Sequence, residues 1–369
     1  MSTEAASNSK KSRRSSSSPF LLLPDDVVLK CLSRVPGRYD LKLSLVSKAL
    51  RSLVCSPELH RLRSQLLPKK SVFLSYHIYQ GPMDPSPSFR WITFRPGEKT
   101  TDYQLEQRSL SLADVVPTHR FGHAVSVGSE IYFIGGRSVH SPELWILDTR
   151  SGHLRTAPSL KVGRLKYKEA VGVVAGKIYV IGGSEERSQV EVFDPQAQTW
   201  DFVGEEKVTC ESRFSASMKQ KVYMVDIDGR VSAYGPREGI NSDATEVPSD
   251  DMLKLVCVVK NVLYGCFEWS GLMWFNTKLK VWIKVVDRDG KDGKLELYSF
   301  AAAKMVEYEE NIVFLWPLGN IDPMKKDVVC KLIALDSLGE EIRGRIEWSG
   351  IVATLPHNIL WKDCLVVSG

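Results

Sequence analysis

The sequence contains no uninterrupted apolar run of the roughly 18 residues that a membrane-spanning helix needs. The short run Leu21-Leu22-Leu23 is followed at once by Pro24-Asp25-Asp26, so it fits neither a span nor a signal-peptide core. Seven cysteines are scattered along the chain, and none forms a CxxC pair. An odd, unpaired set of this kind indicates reduced thiols. We therefore expect a cytoplasmic or nuclear protein without membrane association.

Motifs that carry chemistry are also missing. There is no phosphate-binding loop and no GxGxxG fingerprint. His119 and His123 have the spacing of a metal pair on a helix, but they flank the start of an expected strand, where that spacing does not place them on one face. We expect no catalytic residue, no cofactor and no metal.

The positive charge is concentrated near the start of the sequence. Residues 1–19 carry a net charge of +3 and residues 20–68 carry +4, whereas the remainder carries −2. The long C-terminal part therefore lacks the positive field that nucleic-acid binding requires. Residues 1–19 are rich in serine and predict a disordered tail, whose Lys10-Lys11-Ser12-Arg13-Arg14 cluster is either a solvated segment or a nuclear-import patch.

Residues 20–67 predict a small all-helical unit. Pro24 fits the start of a helix, and apolar residues then recur at helical spacing until Pro36-Gly37. Ser47 fits an N-cap of the next leucine-rich helix, and Ser56-Pro57-Glu58 starts another. About 45 residues of short helices bury little surface alone, so this unit is expected to need a partner surface or a neighbouring domain to be stable.

A repeat of β-type segments follows from residue 68. The segment from His123 to Gly136 matches the segment from Glu169 to Gly183, and their tyrosines Tyr132 and Tyr179 are 47 residues apart. A period in the forties with four strands per unit is the signature of propeller blades. Weaker copies continue to the end of the sequence, so we predict a mainly β fold with about six blades. Strands near 361–368 would complete the blade begun at 70–95.

Two segments resemble known families. The run from Leu23-Pro24 through Leu32-Ser33-Arg34-Val35-Pro36 to Val46-Ser47-Lys48 closely resembles the F-box over residues 21–66, with Leu50 where many F-boxes have tryptophan. The glycine pairs, tyrosines and Asp/Trp pattern resemble kelch repeats, most clearly at 120–164 and 165–208. The order of the two looks like the large plant F-box/kelch-repeat group, with an F-box at 20–67 and a kelch-type β-propeller at 68–369.

The resemblance implies a substrate-recognition subunit of a Skp–cullin–F-box ubiquitin ligase, without catalytic chemistry of its own. The F-box would bind a Skp-type adaptor and, through it, a cullin, while the propeller would hold an unknown protein substrate. The implied adaptor-binding residues, some of which could equally pack inside the F-box, are Leu23, Pro24, Val27, Val28, Leu32, Val35, Leu41, Leu43, Leu45, Val46 and Ser47. Substrate recognition is expected on the loops at one end of the propeller, without a choice of face or residues.

Two rival functions stay open beside the ligase. One is a kelch scaffold that acts through the propeller alone. The other is a propeller enzyme of the copper-oxidase type, which needs a late pair of histidines, whereas only His357 lies beyond residue 153.

Several residues of the repeats have a structural interpretation and a functional one. The pairs Gly135-Gly136 and Gly182-Gly183 predict bends at strand ends, and the tyrosines and most tryptophans predict packing between blades. The basic set Lys161, Arg164, Lys166 and Lys168 predicts a solvated loop, with contact to an acidic substrate patch as the alternative.

Overall fold

The computed structural model describes residues 23–35, 40–66, 70–78, 89–97, 108–109, 123–135, 141–164, 169–184, 190–204, 214–242, 245–287, 295, 297, 302–339 and 341–368. The tail at 1–19, Pro36-Gly37, His119, Gly136, Lys166 and Lys168 lie outside the described residues. The chain divides into two compact units, residues 1–68 and residues 69–369.

The first unit consists of four short helices. They are α1 (Asp25–Ser33), α2 (Asp40–Val46), α3 (Lys48–Val54) and α4 (Pro57–Leu66). The predicted N-cap is confirmed, because the Ser47 hydroxyl accepts a hydrogen bond of 3.1 Å from Leu50 N at the start of α3. The Ser56 hydroxyl accepts from Leu59 N in the same way before α4. The buried core is made of Val28, Leu29, Leu32, Leu50, Val54 and Leu59.

The second unit is a six-bladed propeller, which confirms the predicted fold. Its first sheet combines β25 (Ile359–Ser368), β1 (Lys70–Ile78), β2 (Phe89–Phe94) and β3 (Arg108–Ser109). The second sheet is β4 (His123–Val127), β5 (Glu130–Ile134), β6 (Leu144–Asp148) and β7 (Leu154–Ala157). The third sheet is β8 (Glu169–Val174), β9 (Lys177–Gly182), β10 (Val190–Asp194) and β11 (Thr199–Gly204).

The later blades follow the same order from the innermost strand outward. The fourth sheet is β12 (Phe214–Met218), β13 (Lys221–Val225), β14 (Val231–Gly235) and β15 (Gly239–Asn241). The fifth sheet is β16 (Leu253–Val259), β17 (Val262–Phe267), β18 (Gly271–Asn276) and β19 (Val281–Lys284). The sixth sheet is β21 (Lys304–Tyr308), β22 (Asn311–Gly319), β23 (Lys325–Leu338) and β24 (Glu341–Pro356), with β20 (Val286–Asp287) added parallel to β24 at its outer edge.

The ring is closed by strands from the two ends of the second unit. β25 is the innermost strand of the first sheet and pairs antiparallel with β1, from Lys70 opposite Ser368 to Ile78 opposite Ile359. The predicted completion of the first blade by strands near 361–368 is therefore confirmed. Closure leaves no open end to the ring of blades.

Two-residue turns join the first and second strands of several blades. The turn residues Lys219 and Gln220 have φ values of 50° and 60°, and Glu309 and Glu310 have 48° and 66°. Two successive residues with positive φ form a turn whose twist matches that of the flanking strands. Such turns usually contain Asn-Gly, whereas here they contain Lys-Gln and Glu-Glu.

Aromatic side chains fill the spaces between blades. The ring of Tyr132 lies 6.0 Å from Phe193, and the ring of Tyr179 lies 6.0 Å from Tyr234, both centroid to centroid and both across a blade boundary. Both tyrosines are buried, as the repeat predicts. The predicted bends also hold where the structure describes them, since Gly135, Gly182 and Gly183 all have positive φ at strand ends.

The two faces of the propeller carry different connections. Because strands alternate in direction, the turns between strands 1 and 2 and between strands 3 and 4 lie on one face. The connections between strands 2 and 3, and from strand 4 to the next blade, lie on the other, which we call the 2–3 face. The hairpin between β22 and β23 and the segment between β7 and β8 are on the 2–3 face.

Candidate functional site

The start of α1 presents apolar side chains outside the helical core. Pro24 caps the helix, and its carbonyl oxygen accepts hydrogen bonds of 3.0 Å from Val27 N and 3.1 Å from Val28 N. Asp25 and Asp26 lie in the first turn, where the helix dipole favours negative charge. Leu23 and Val27 remain exposed, so the first turn of α1 offers a small apolar surface.

A second apolar surface lies where α2 ends. The side chains of Leu45 and Val46 are 71% and 69% exposed. The backbone here is fixed, because Ser47 caps α3 and Arg51 Nε donates a hydrogen bond of 3.1 Å to Ser44 O. Two neighbouring apolar side chains on a fixed backbone are a feature of surfaces that bind another protein.

The structure sorts the eleven predicted adaptor-binding residues into groups. Leu23, Pro24, Val27, Leu45 and Val46 are exposed, and Val35, Leu43 and Ser47 are half-buried. Val28 and Leu32 belong to the core of the helical unit, so they have almost no surface to offer a partner. The helical spacing of apolar residues on α1 therefore does not place them all on one buried face, because Val27 is exposed whereas Val28 is buried. The side chain of Leu41 lies outside the described residues.

Leu50 occupies the place where many F-boxes have tryptophan. Its side chain is buried in the core beside Val54 and Leu59. The side chain at this position therefore packs inside the helical unit.

One ion pair that the sequence did not suggest joins three of the helices. Nη1 and Nη2 of Arg63 donate to the Asp40 carboxylate, at 2.6 and 2.8 Å, and Nη2 also donates to Leu32 O at 3.1 Å. Arg63 in α4 thereby ties the ends of α1 and α2 together. Bidentate pairs of this kind fix geometry, so they support the positions of the exposed residues.

The propeller encloses a central cavity of about 570 Å³ lined by the innermost strands of all six blades. Serine hydroxyls link these strands. Ser126 Oγ donates to Val366 O at 2.9 Å, and Ser217 Oγ accepts from Val173 N at 2.7 Å. The hydroxyls are therefore engaged in holding blades together.

The described residues hold no cluster of three or more His, Cys, Asp or Glu side chains able to bind a metal ion. His123 Nε2 lies 3.8 Å from Glu169 Oε1, which is an inter-blade contact. Burial raises the pKa of the Cys257, Cys266 and Cys330 thiols far above the ordinary value of 9.0. Thiols that stay protonated are poor nucleophiles.

The basic set in the segment after β7 is partly buried, which corrects the expectation of a solvated loop. Arg164 Nη2 donates to Glu191 Oε1 at 2.7 Å, and Nη1 donates to Gly182 O at 2.8 Å. The interpretation is wrong at Arg164 because a buried carboxylate on β10 draws the side chain inward. Lys161 remains exposed, with Nζ 4.8 Å from the centre of the Phe202 ring.

Comparisons with known proteins agree with this architecture. Residues 20–62 match the F-box domain model, and residues 91–353 match the FKB95 kelch-repeats domain model. The chain belongs to the F-box/kelch-repeat family. F-box/kelch-repeat protein At2g44630 of Arabidopsis thaliana is 34% identical over 361 residues, covering 94% of this chain and 93% of the relative. F-box/kelch-repeat protein At2g44700 of the same plant is 33% identical over 378 residues, covering 100% and 97%.

Membership of this family fits the two units described above. An F-box followed by a kelch propeller is consistent with a substrate adaptor, and F-box domains generally bind Skp-type adaptors. No helix among the described residues is long and apolar enough to cross a membrane. The domain boundaries at 19/20 and 67/68 stay predictions.

Proposed function

We propose that this F-box/kelch-repeat protein is the substrate-recognition subunit of a Skp–cullin–F-box ubiquitin ligase in the cytoplasm, the nucleus or both. The F-box binds the adaptor, and the propeller binds a protein substrate. The chain is not itself an enzyme, because ubiquitin transfer belongs to other subunits and this chain supplies positioning and local concentration.

One observation carries the proposal. Leu23, just before α1, and Val27, Leu45 and Val46 on α1 and α2 are exposed, whereas the core of the unit is formed by Val28, Leu29, Leu32, Leu50, Val54 and Leu59. Exposed apolar side chains on a small helical unit gain free energy when a helical partner covers them, at about 25 cal/mol for each Å² removed from water.

Co-purification with a recombinant Skp-type adaptor tests the proposal. Leu45→Asp combined with Val46→Asp places two charges in the apolar surface, and we expect adaptor capture to fall about tenfold or more. Because both positions are exposed in the free chain, the unfolding temperature is expected to change little.

A matched control separates the loss of apolar surface from added charge. Ser52→Asp adds negative charge at an exposed position of α3 without removing an apolar side chain, and it is expected to leave capture unchanged. Normal capture by the Leu45→Asp, Val46→Asp variant would overturn the assignment of this surface. Failure of the unmodified chain to bind any Skp-type adaptor would instead overturn the ligase function and favour a scaffold that acts through its propeller.

A further inference from the structure

An exposed tryptophan lies on the 2–3 face of the fifth blade. Glu268, Trp269 and Ser270 form the short turn between β17 and β18, and the Trp269 side chain is 68% exposed. The other tryptophans described in the propeller are buried or half-buried. Trp269 is therefore the exception among residues that otherwise pack between blades.

A buried carboxylate holds the turn that carries this tryptophan. Asp251 Oδ1 accepts a hydrogen bond of 2.9 Å from Trp269 N, and Oδ2 accepts one of 2.7 Å from Ser270 N. Glu268 N donates to Met252 O at 2.9 Å. Because three successive backbone amides are tied down, ordering Trp269 against a partner costs little additional entropy.

The fixed surface continues into the neighbouring fourth blade. Leu253 N donates a hydrogen bond of 2.9 Å to Ile227 O, in the turn between β13 and β14. Together with the bond from Glu268 N to Met252 O, it connects the Trp269 turn through the backbone at Met252 to the turn that carries Asp228, and both Asp228 and Met252 are exposed. We call the surface formed by Asp228, Met252 and Trp269 the tryptophan platform.

The surroundings of the tryptophan platform are acidic. The two turns and the segment before β16 contain the carboxylates Asp226, Asp228, Asp250, Asp251 and Glu268. The adjoining cations are already paired, since Arg230 Nη1 lies 2.5 Å from Asp228 and Nζ of Lys254, on β16, lies 3.1 Å from Glu268. A net negative surface around an exposed indole favours a cationic partner, which the face of the ring also attracts.

We propose that the tryptophan platform binds a segment of the protein substrate that carries a lysine or arginine beside a large apolar side chain. The proposal rests on the proposed function for its substrate, and it adds the face, the anchor residue and the chemistry of the partner. An exposed tryptophan on a fixed backbone is a frequent hot spot of protein recognition, and Met252 supplies an adaptable apolar neighbour.

The proposal can be tested with random short peptides displayed against the purified full chain, both alone and mixed with a Skp-type adaptor. We expect the selected peptides to be enriched in lysine or arginine next to aromatic or aliphatic residues. Binding of one such peptide is then measured by calorimetry. Trp269→Ala is expected to weaken it about tenfold or more, and Asp228→Asn combined with Asp250→Asn is expected to weaken it several-fold and to reduce its salt dependence.

The chain offers a matched control for the tryptophan. Leu279 lies in the turn between β18 and β19 of the same blade, on the opposite face, and its side chain is 67% exposed. Leu279→Ala is expected to change the affinity by less than about twofold. Unchanged unfolding temperatures would show that both variants keep the fold.

The outcomes distinguish this inference from the ligase function. Selected peptides that are acidic, no selected peptides at all, or full affinity in Trp269→Ala would each overturn the platform while leaving adaptor capture intact. If the unmodified chain does not capture a Skp-type adaptor but still binds the peptide in a Trp269-dependent way, the ligase function is overturned and the tryptophan platform is supported.

Discussion

Arg164 and Glu191 form an ion pair inside the propeller, with 2.7 Å between Nη2 and Oε1 and side chains that are only 2% and 0% exposed. The same carboxylate accepts backbone hydrogen bonds from Lys161 N at 2.7 Å and Val162 N at 3.3 Å. Glu191 on β10 therefore fixes the segment that leads from the second blade into the third. Asp251 likewise fixes the turn between β17 and β18 in the fifth blade. A buried carboxylate therefore fixes a loop of the 2–3 face at two places in the propeller.

Removal of the Glu191 carboxylate should destabilise the propeller. Glu191→Ala leaves the Arg164 guanidinium buried without its counter-ion and two amides without their acceptor. We expect a loss of about 3–5 kcal/mol in the free energy of unfolding, measured by chemical denaturation. Asp336→Ala is the control, because its pair with Arg345 is exposed and 3.8 Å long, and its cost should stay below about 1 kcal/mol. Equal costs for the two variants would contradict the structural role of Glu191.

Two buried tryptophans should respond differently to the same substitution. Trp200 Nε1 donates a hydrogen bond of 2.7 Å to Pro158 O in the preceding blade connection. Trp145 Nε1 is also buried but has no hydrogen-bond partner within the part of the chain that the structure describes. Trp200→Phe should therefore cost about 1–2 kcal/mol more than Trp145→Phe, because only the first leaves a carbonyl without its donor. Thermal unfolding of the two variants side by side checks this difference, and a larger loss for Trp145→Phe would refute it.

The turn between β12 and β13 offers a stabilising substitution. Lys219 and Gln220 both have positive φ, a conformation that asparagine and glycine adopt at lower cost than lysine and glutamine. Lys219→Asn combined with Gln220→Gly should raise the free energy of unfolding by about 1 kcal/mol.

The corresponding turn of the third blade supplies the reverse experiment. Gly176 has a φ of 78°, and a Cβ built there meets no atom within 4 Å, so Gly176→Ala adds backbone strain without a clash. It should destabilise by about 1 kcal/mol. If both changes shift the denaturation midpoint in the same direction, backbone strain does not govern these turns.

Much of the fold could be predicted because its signals are local or periodic. The side chain of Ser47 predicts the start of a helix, and the 47-residue spacing of Tyr132 and Tyr179 predicts propeller blades. Closure by β25 followed from the unmatched strand at the end of the repeats. These inferences needed no knowledge of which residues meet in space.

The remaining features depend on distant pairs. The burial of Arg164 follows from Glu191, which lies 27 residues later on another strand, and the pair of Arg63 with Asp40 spans 23 residues. In the same way Val27 and Val28 share an apolar pattern, yet only the fold decides that one is exposed and the other is core. The backbone of Trp269 is held by Asp251, and the β16–β17 hairpin lies between these two residues in the sequence.

The position of β25 has a consequence for biosynthesis. Its partner β1 leaves the ribosome almost three hundred residues before Ser368 does, so the nascent ring stays unsealed while the five other blades are synthesised. During that time the edge of β1 is open to mispairing, and chaperone dependence should end only when the closing strand emerges. A premature stop codon within 359–368 would accordingly be far more harmful than the few residues lost suggest.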